Sequence, residues 1–455
     1  MERLDRGSKR FRAPAQLASR LASVTGAAPS WPITFTFIAS GPLQAAVMHD
    51  VITQLAKRHD ALRMAVPEGA LDWALIRDAD DVQVPFEVIT ENDEESARRR
   101  MRDDWQRGID TRNGPLIRML VIRIAASTHL LSIMIDHIGF DGLSGQIFFS
   151  ELASAYRARA SGDPAWREAA GPVPQPYAEF GEEQLKLLEG PWGEESRGFW
   201  CGQFERFGPY PPRGGLQGPG SARPVPSDPD LSALRKIALP IGEDVLSEIR
   251  GLARLARATP YSAWIAALLR GLQDLGHQAS GVVIDVHGRI VRDYASTVGL
   301  FSHGAPVYAR LGPAAGIADV REVAAGTAAA VTRSLPLRGL SAQWRAAQGM
   351  PHEAVPYVYF SDETSWRFDY DLGDVSLSVD RVTDIRTPYP TSPDILSVRV
   401  ERHDGQLYAT AQFDSRVNDP ELVGRLLGQL ADLSALRRLS RPPDLESKEP
   451  AAGCT

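Results

Sequence analysis

The sequence predicts a mixed α/β (α+β) protein of two subdomains, and three observations support this prediction. The chain has 455 residues, a length typical of two or three domains of roughly 100–200 residues each. Strand and helix signals follow one another in both halves of the chain. Between the halves, residues 208–230 are so rich in Pro and Gly that they indicate a linker or a long loop.

The strands of the first half are predicted by short apolar runs that turn residues separate. They cover residues 34–39, 116–124 and 129–136. Because the last two runs are rich in Leu and Ile and nearly adjacent, we expect them to be buried neighbours in one sheet. The first thirty residues show no such pattern, and we interpret them as an irregular lead-in.

Helices of the first half are predicted by apolar residues that recur at helical spacing. One helix opens after Gly41-Pro42, and another follows a tight turn at residues 139–142. Residues 91–107 carry an acidic block and then several Arg, which is typical of a solvated amphipathic helix.

The second half begins at Lys236 and repeats the mixture of strands and helices. Strands are predicted at residues 282–286, 356–360, 375–379, 395–400 and 407–413. The last two flank Asp404-Gly405, a strong hairpin-turn signal. A final helix opens at Asn418-Asp419-Pro420, and we expect the polar tail, residues 441–455, to be disordered.

Composition excludes several classes of function. The net charge is −7 and the pI is about 5.8, so the basic surface that nucleic acid requires is missing. No apolar run approaches the ~20 residues of a membrane-spanning helix, and no signal segment is evident. Cys201 and Cys454 have neither metal-ligand spacing nor a disulfide framework. We therefore expect a cytoplasmic protein with no metal, nucleic acid or membrane partner.

The segment that suggests chemistry is His137-x-x-x-Asp141-Gly142, between a predicted strand and a predicted helix. A strand end followed by a tight turn can hold an imidazole rigidly while exposing it. Asp141 could cap the helix or pair with an Arg, and Gly142 would permit a close backbone approach. The alternative is a buried His with backbone partners and a purely structural Asp.

This segment resembles the signature of the condensation-domain superfamily of nonribosomal peptide synthesis, which has the chloramphenicol-acetyltransferase-like fold. That signature is His-His-x-x-x-Asp-Gly-x-Ser, and residues 136–144 here are Asp-His-Ile-Gly-Phe-Asp-Gly-Leu-Ser. Other segments are similar to the family's and follow in its order, over roughly residues 40–430. They are residues 58–63, 113–118, 177–180, 199–200 and 298–301.

The resemblance implies two chloramphenicol-acetyltransferase-like subdomains that form a V-shaped pseudo-dimer, with the active site at their interface. On this basis residues 1–178 form the N-terminal subdomain and residues 179–440 the C-terminal one. Because no adenylation or carrier segment follows residue 440, we expect a free-standing enzyme.

Site residues are also implied by the resemblance. His137 occupies the reactive position, supported by Asp136, Asp141, Gly142 and Ser144. Asp141 is expected to form a salt bridge with Arg63. Possible tunnel or substrate contacts are Asp285, Arg289, Phe301, Ser302 and His303.

Two departures from the family pattern bear on function. Asp136 replaces the first His; it either adds a carboxylate near the imidazole or, as strand alternation favours, faces away from it. His303 and Gly304 replace the Asn and Thr of the later motif, which lines the reaction tunnel in the family. That tunnel would open on two opposite faces, since two carriers cannot reach one buried His from one side. His303 itself would either line it or lie in a surface loop.

The resemblance thus predicts an acyltransferase in natural-product biosynthesis. A thioester on the phosphopantetheine arm of an acyl or peptidyl carrier protein would be attacked by an amine or hydroxyl, on a small-molecule or carrier-bound acceptor. His137 would act as general base. No cofactor is expected to bind tightly.

Two alternatives remain open at this point. A non-catalytic domain could recruit carrier proteins or tailoring enzymes, which the altered signature favours. Residues 285–289, Asp-Val-His-Gly-Arg, also resemble an element of epimerisation domains, with Asp285 at the carboxylate position. There, Asp285 and Arg289 could instead simply pair across a strand end.

Overall fold

The computed structural model describes residues 7–432 except 24–31, 213–215, 218–224, 227–229, 231, 278, 291, 313–315, 351–354, 365–368, 381–391 and 404. The tail at residues 441–455 and the turn residue Asp404 therefore lie outside the described residues, as does much of the stretch 208–230. All statements below concern the described part of the chain.

The strands are mostly short, and apolar residues dominate those that are buried. They are β1 (Lys9–Arg12), β2 (Pro32–Ser40), β3 (Met64–Ala65), β4 (Trp73–Ile76), β5 (Phe86–Thr90), β6 (Ile117–Ala125), β7 (Thr128–Asp136), β8 (Leu234–Ile241), β9 (Gly281–Val286), β10 (His303–Tyr308), β11 (Tyr357–Asp362), β12 (Tyr370–Asp371), β13 (Ser376–Val379), β14 (Ile395–His403) and β15 (Gln406–Asp414).

Eleven helices are found in the described residues. They are α1 (Ala15–Ser23), α2 (Ala45–Arg58), α3 (Glu94–Trp105), α4 (Gly142–Ala160), α5 (Tyr177–Glu189), α6 (Pro191–Phe207), α7 (Glu243–Ala256), α8 (Pro260–Asp274), α9 (Ile317–Thr332), α10 (Leu337–Ala347) and α11 (Pro420–Ala431). Sequence signals explain several of their starts. Asp93 and Asp419 cap α3 and α11 with their carboxylates, and Pro420 occupies the first turn of α11.

The first large sheet has the strand order β12-β13-β2-β7-β6-β5. β7 pairs antiparallel with both of its neighbours. Its residue Ile135, for example, lies opposite Ile33 of β2 on one side and opposite Ile117 of β6 on the other. Both faces of β7 are buried, which is why its sequence is a nearly continuous apolar run. β12 and β13 come from the second half of the chain, so the two halves share this sheet.

The second large sheet has the order β10-β9-β11-β14-β15-β8, and β11 runs parallel to both of its neighbours. Alternate residues of β14 and β15, and most residues of β9, pack with α7, α8 and α11 in the largest apolar core of the described residues. α8 contributes a segment in which every residue from Ser262 to Leu272 is buried. A three-stranded sheet, β1-β4-β3, completes the sheets of the described residues.

Aromatic packing holds the elements around the motif. Phe149 of α4 packs on Phe35 and Phe37 of β2, with ring centroids 4.7 and 5.1 Å apart. Phe301 of the second half packs on Phe180 and Tyr177 of α5, at 4.6 and 5.2 Å. These contacts fix the start of α4 against the first sheet and bring residues near 300 to the same place.

The mixed α/β fold class is confirmed, and the predicted strands and the four predicted helices are present close to their expected bounds. The interpretation of the first thirty residues as irregular is wrong, because β1 and α1 lie there. Both elements are anchored by tertiary contacts: Phe11 packs on Tyr177, and Gln16 bonds Leu300 O. In the part of the chain described here, no helix is both long and apolar enough to cross a bilayer.

Candidate active site

His137 lies where β7 ends, as the first residue of a single 3-10 turn, His137–Gly139. A local hydrogen bond stabilises the turn, because the Asp136 carboxylate accepts a hydrogen bond from the backbone N–H of Ile138 at 3.0 Å. The side chain of His137 is half-buried, and protein atoms surround much of the ring.

Burial lowers the pKa of His137 below its usual range, and the positive charge of Arg20 lowers it further. Main-chain groups of residues 137 and 140 and the charge of Asp141 act in the opposite direction. The net effect is a lowered pKa, so the imidazole is neutral at neutral pH and one of its ring nitrogens carries a lone pair.

Asp141 connects the motif to the second half of the chain. Its carboxylate accepts two hydrogen bonds from the Arg289 guanidinium, at 3.0 and 3.1 Å, and both side chains are almost fully buried. It also accepts the backbone N–H groups of Phe301 and Ser302, at 3.0 and 3.1 Å. Within its own segment it caps α4 through Ser144 N, at 2.8 Å. Both roles expected for this carboxylate, the helix cap and the Arg pair, are therefore combined.

The predicted salt bridge between Asp141 and Arg63 is wrong. Arg63 lies in a 3-10 turn that precedes β3, where its guanidinium donates to Arg77 O. Its charged neighbours are Asp60 and Asp78. Asp141 faces the second half of the chain instead, and Arg289 supplies the buried positive charge from there.

Of the two other residues expected to support the motif, Ser144 makes several hydrogen bonds and Gly142 has no special role in the backbone. Ser144 Oγ bonds Asp141 at 2.7 Å and both the N–H and the carbonyl of Gly299, at 3.0 and 2.9 Å, so it adds to the connection between the halves. Gly142 is simply the first residue of α4 with an ordinary backbone conformation; the left-handed conformation that would require Gly is absent there.

Asp136 is fully buried, and Arg20 of α1 is its electrostatic partner. Burial lowers the pKa of Arg20 to about 10, so this guanidinium remains charged beneath the motif. Arg20 also lies within electrostatic range of Arg338 and Tyr357 of the second half. No local pattern in the sequence points to Arg20, because residues 1–30 show no regular apolar period.

His303 begins β10 and is half-buried, which excludes a surface loop for it. Its Nε2 is 2.9 Å from Ser334 Oγ, and its Nδ1 is 3.5 Å from Phe301 O. Burial lowers its pKa to about 4, and the neighbouring His287 contributes to this shift. His303 is therefore a neutral, hydrogen-bonded group close to the segment that contacts Asp141.

Asp285 lies on β9 and does not pair with Arg289, whose guanidinium is bound to Asp141. Its side chain is exposed to solvent on one part of its surface, and its carboxyl accepts a hydrogen bond from Tyr359 of β11. Neighbouring protein atoms partly desolvate the carboxyl, which raises its pKa to about 6.

Gly304 stands opposite Asp285 in the pairing of β10 with β9. A Cβ atom at residue 304 would lie 2.7 Å from the Tyr210 hydroxyl and 2.9 Å from Val283. The Thr that the family motif carries at this position would therefore collide with Tyr210. This contact gives a physical reason for one of the two departures from the later motif.

No group of three or more metal-ligating side chains occurs among the described residues. A cavity of about 230 Å³ between α2, α4 and residues 166–173 lies elsewhere and contains none of the motif residues. The described side chains around the motif supply an imidazole with a lowered pKa, a carboxyl with a raised one, and several phenols.

Comparison with known proteins identifies the family. The family described as "Condensation domain" matches residues 20–355. The chain belongs to the condensation-domain family. Its sequence is 26% identical over 422 residues to phosphinothricin tripeptide synthetase PhsC of Streptomyces viridochromogenes, covering 89% of this chain and 37% of that protein. The chain thus spans little more than a third of this curated relative, and less of others such as tyrocidine synthase 3 of Brevibacillus parabrevis, at 6%.

Solved structures agree on the fold of this condensation-domain protein. The first condensation domain of the calcium-dependent antibiotic synthetase, in complex with a substrate analogue, matches with a TM-score of 0.72 at 19% identity, over 95% of this chain and 97% of that one. The X-domain in its complex with OxyB from teicoplanin biosynthesis matches with a TM-score of 0.73 at 18% identity, over 96% and 94%.

Proposed function

We propose that this condensation-domain protein is an acyltransferase that joins a carrier-bound acyl or aminoacyl thioester to an amine or hydroxyl acceptor in natural-product biosynthesis. The observation that supports the proposal is the state of His137. Burial lowers the pKa of its imidazole, so the ring is neutral at neutral pH, and the side chain is half-buried at the end of β7. These are the properties of a general base.

The proposed reaction uses groups that the chain and its substrates supply. The acceptor nitrogen or oxygen attacks the thioester carbonyl carbon, and its proton moves to the unprotonated ring nitrogen of His137. The new C–N or C–O bond forms as the C–S bond breaks, and the proton passes to the departing thiolate of the phosphopantetheine arm. A positioned base accelerates such a step by roughly 10²–10⁴-fold. The two arms, held in one cleft, would contribute proximity.

The test is transfer measured by intact mass. A loaded carrier protein and an amine acceptor are mixed with wild-type protein, His137→Ala or His49→Ala; His49 stacks on Phe86 away from the motif. We expect His137→Ala to slow transfer by roughly 10²–10⁴-fold with an unchanged melting temperature, and His49→Ala to match wild type. Near wild-type transfer by His137→Ala would remove the general base from the proposal.

A second candidate is recruitment of carrier proteins or tailoring enzymes. Two observations favour it: Asp136 replaces the first His of the signature, and a related fold, the X-domain, forms a complex with OxyB. In this case a carrier or partner protein would bind wild type and His137→Ala with equal affinity, and no carrier would lose its acyl group.

Epimerisation of a carrier-bound residue is the third candidate, favoured by the solvent-exposed carboxyl of Asp285. It is distinguished in D₂O, where exchange of the α-proton would add one mass unit to an aminoacyl carrier without any transfer.

A further inference from the structure

We propose that Asp285 and the tyrosines around it form a subsite that binds a protonated amine of the acceptor, separate from the acceptor atom that attacks the thioester. The identification of the bound molecule as the acceptor substrate rests on the proposed function. The binding site itself is defined by side chains of the second half of the chain and can be tested without any transfer reaction.

The charge of the Asp285 carboxylate is only partly neutralised by the protein. Its hydrogen bond comes from the neutral Tyr359 hydroxyl, and Arg399 on β14 acts on it as a more distant charge. Asp141 is a like charge that disfavours ionisation of Asp285. A carboxylate that is partly desolvated is stabilised by a cation and by hydrogen-bond donors beside it. A ligand ammonium would supply both.

Three tyrosines lie around the Asp285 carboxyl. Tyr210, Tyr261 and Tyr359 all lie within electrostatic range of Asp285, and burial holds their pKa values above the usual range. They are therefore neutral phenols, whose oxygens can accept hydrogen bonds and whose rings attract cations. Phenols around a single carboxylate favour an ammonium over an anion or an alkyl group.

The Asp285 side chain is accessible from solvent and has a phenol close to its strand. Gly304 is the residue opposite Asp285 on β10. The Tyr210 hydroxyl fills the space beside Gly304, since it would lie 2.7 Å from a Cβ there. The side chain of Asp285 itself remains exposed to solvent. A small polar group can therefore reach the carboxylate from solvent, next to the Tyr210 hydroxyl.

The substrate class follows from acid–base chemistry. A nitrogen held as an ammonium against a carboxylate has no lone pair and does not attack a carbonyl. The acceptor must therefore carry a second amine or a hydroxyl, which reacts near His137 while the ammonium is bound at Asp285. Diamines, amino alcohols and larger molecules that contain these groups satisfy the requirement.

The probes are 5-aminopentan-1-ol and pentane-1,5-diol, which have the same length and differ in one charged group. Their affinities for the full chain are measured by ligand-observed NMR at pH 7.5 and constant ionic strength. We expect the amino alcohol to bind wild type at least tenfold more tightly than the diol. Asp285→Asn should remove this preference, Tyr359→Phe should reduce it, and Asp103→Asn on the exposed surface of α3 should preserve it.

A second measurement on wild type keeps the test valid if Asp285→Asn fails to fold. Binding of the amino alcohol should weaken as the pH is lowered from 7.5 to 5, because Asp285 becomes protonated. Around Asp285, the phenols and His303 remain neutral over this range, and Arg399 remains positively charged. His287, two residues away, is controlled by His287→Gln, which should retain the pH dependence.

The inference is overturned if wild type binds the two probes equally or binds neither, or if a folded Asp285→Asn retains the preference. Affinity that does not change with pH would also overturn it. A probe preference that holds while no carrier loses its acyl group would support the subsite and contradict only the proposed acyl transfer.

Discussion

The Asp141 carboxylate accepts hydrogen bonds from both halves of the chain, and its side chain has no exposed surface. Its charge is balanced by Arg289, which is 4% exposed. Because each ion was removed from water to form the pair, loss of one partner leaves the other buried and uncompensated. The pair therefore holds the loop behind His137 in place, and the fold depends on both members.

Arg289→Met should lower the free energy of unfolding by roughly 3–5 kcal/mol, since Met fills space without compensating Asp141. Arg63→Met is the matched control. That guanidinium is half-buried and makes a hydrogen bond to Arg77 O, so its loss should cost about 1–2 kcal/mol. Urea unfolding of both variants gives the comparison, and equal losses would contradict the assignment of Arg289 as the Asp141 partner.

The site residues that could be predicted from the sequence are those that lie close together along the chain. His137, Asp141 and Ser144 occupy one short segment whose spacing is visible in any printed sequence. The partner of Asp141 is 148 residues away, and nothing local distinguishes Arg289 from Arg63. Pairing between distant residues is decided by how the two halves pack, which residue spacing does not encode.

Elements with a strong period were predicted well, and elements stabilised by distant contacts were not. β6 and β7 are nine-residue apolar strands, and their pairing follows from their proximity. β1 has four residues and β3 two, so no period can develop, and both depend on pairing with β4. The pairing of β13 with β2 joins segments more than 330 residues apart and was not predictable from local pattern.

That pairing gives a prediction at the level of the element. Gly41, beside β2, has a φ of +123°, and a Cβ there would lie 2.2 Å from the carbonyl oxygen of Asp374, just before β13. Gly41→Ala should push β13 away from β2 and speed amide hydrogen exchange in residues 376–379. Gly69→Ala controls for backbone strain, because Gly69 also has a positive φ, +77°, but open space around it.

In Gly69→Ala, exchange in residues 376–379 should equal that of wild type despite some loss of stability. If both variants accelerate exchange in β13 equally, strain and not the contact with Asp374 explains the effect. If neither does, β13 is held by its other contacts.

Several ionisable groups with shifted pKa values lie near the contact between the two halves of the chain. His137 and His303 are held neutral by burial, with pKa values below the usual range. Asp60, which accepts the N–H groups at the start of α5, and Asp285 have raised pKa values. Lowering the pH therefore destabilises the fold through the two histidines and stabilises it through the two aspartates.

The pKa of His303 determines how this residue makes the free energy of unfolding depend on pH. Its pKa is about 4 in the folded protein and about 6.5 in the unfolded chain. Between these values the unfolded chain binds more protons, so lowering the pH favours unfolding. The stabilisation by neutral His303 is complete above pH 6.5 and lost as the pH falls toward 4. Asp285 contributes in the opposite sense between its unfolded value of ~3.9 and about 6, because there the folded protein binds more protons.

A difference measurement isolates the contribution of His303 from these opposing groups. We expect the free energy of unfolding of wild type to fall more steeply between pH 7 and pH 4.5 than that of His303→Gln, which keeps a hydrogen-bonding group near Ser334 but cannot be protonated. His49→Gln, on α2, should follow the wild-type slope. Urea unfolding at pH 7, 5.5 and 4.5 measures all three proteins. Parallel curves for wild type and His303→Gln would mean that His303 can be protonated without cost in the folded state, so that the seam between the halves is open to water at this histidine.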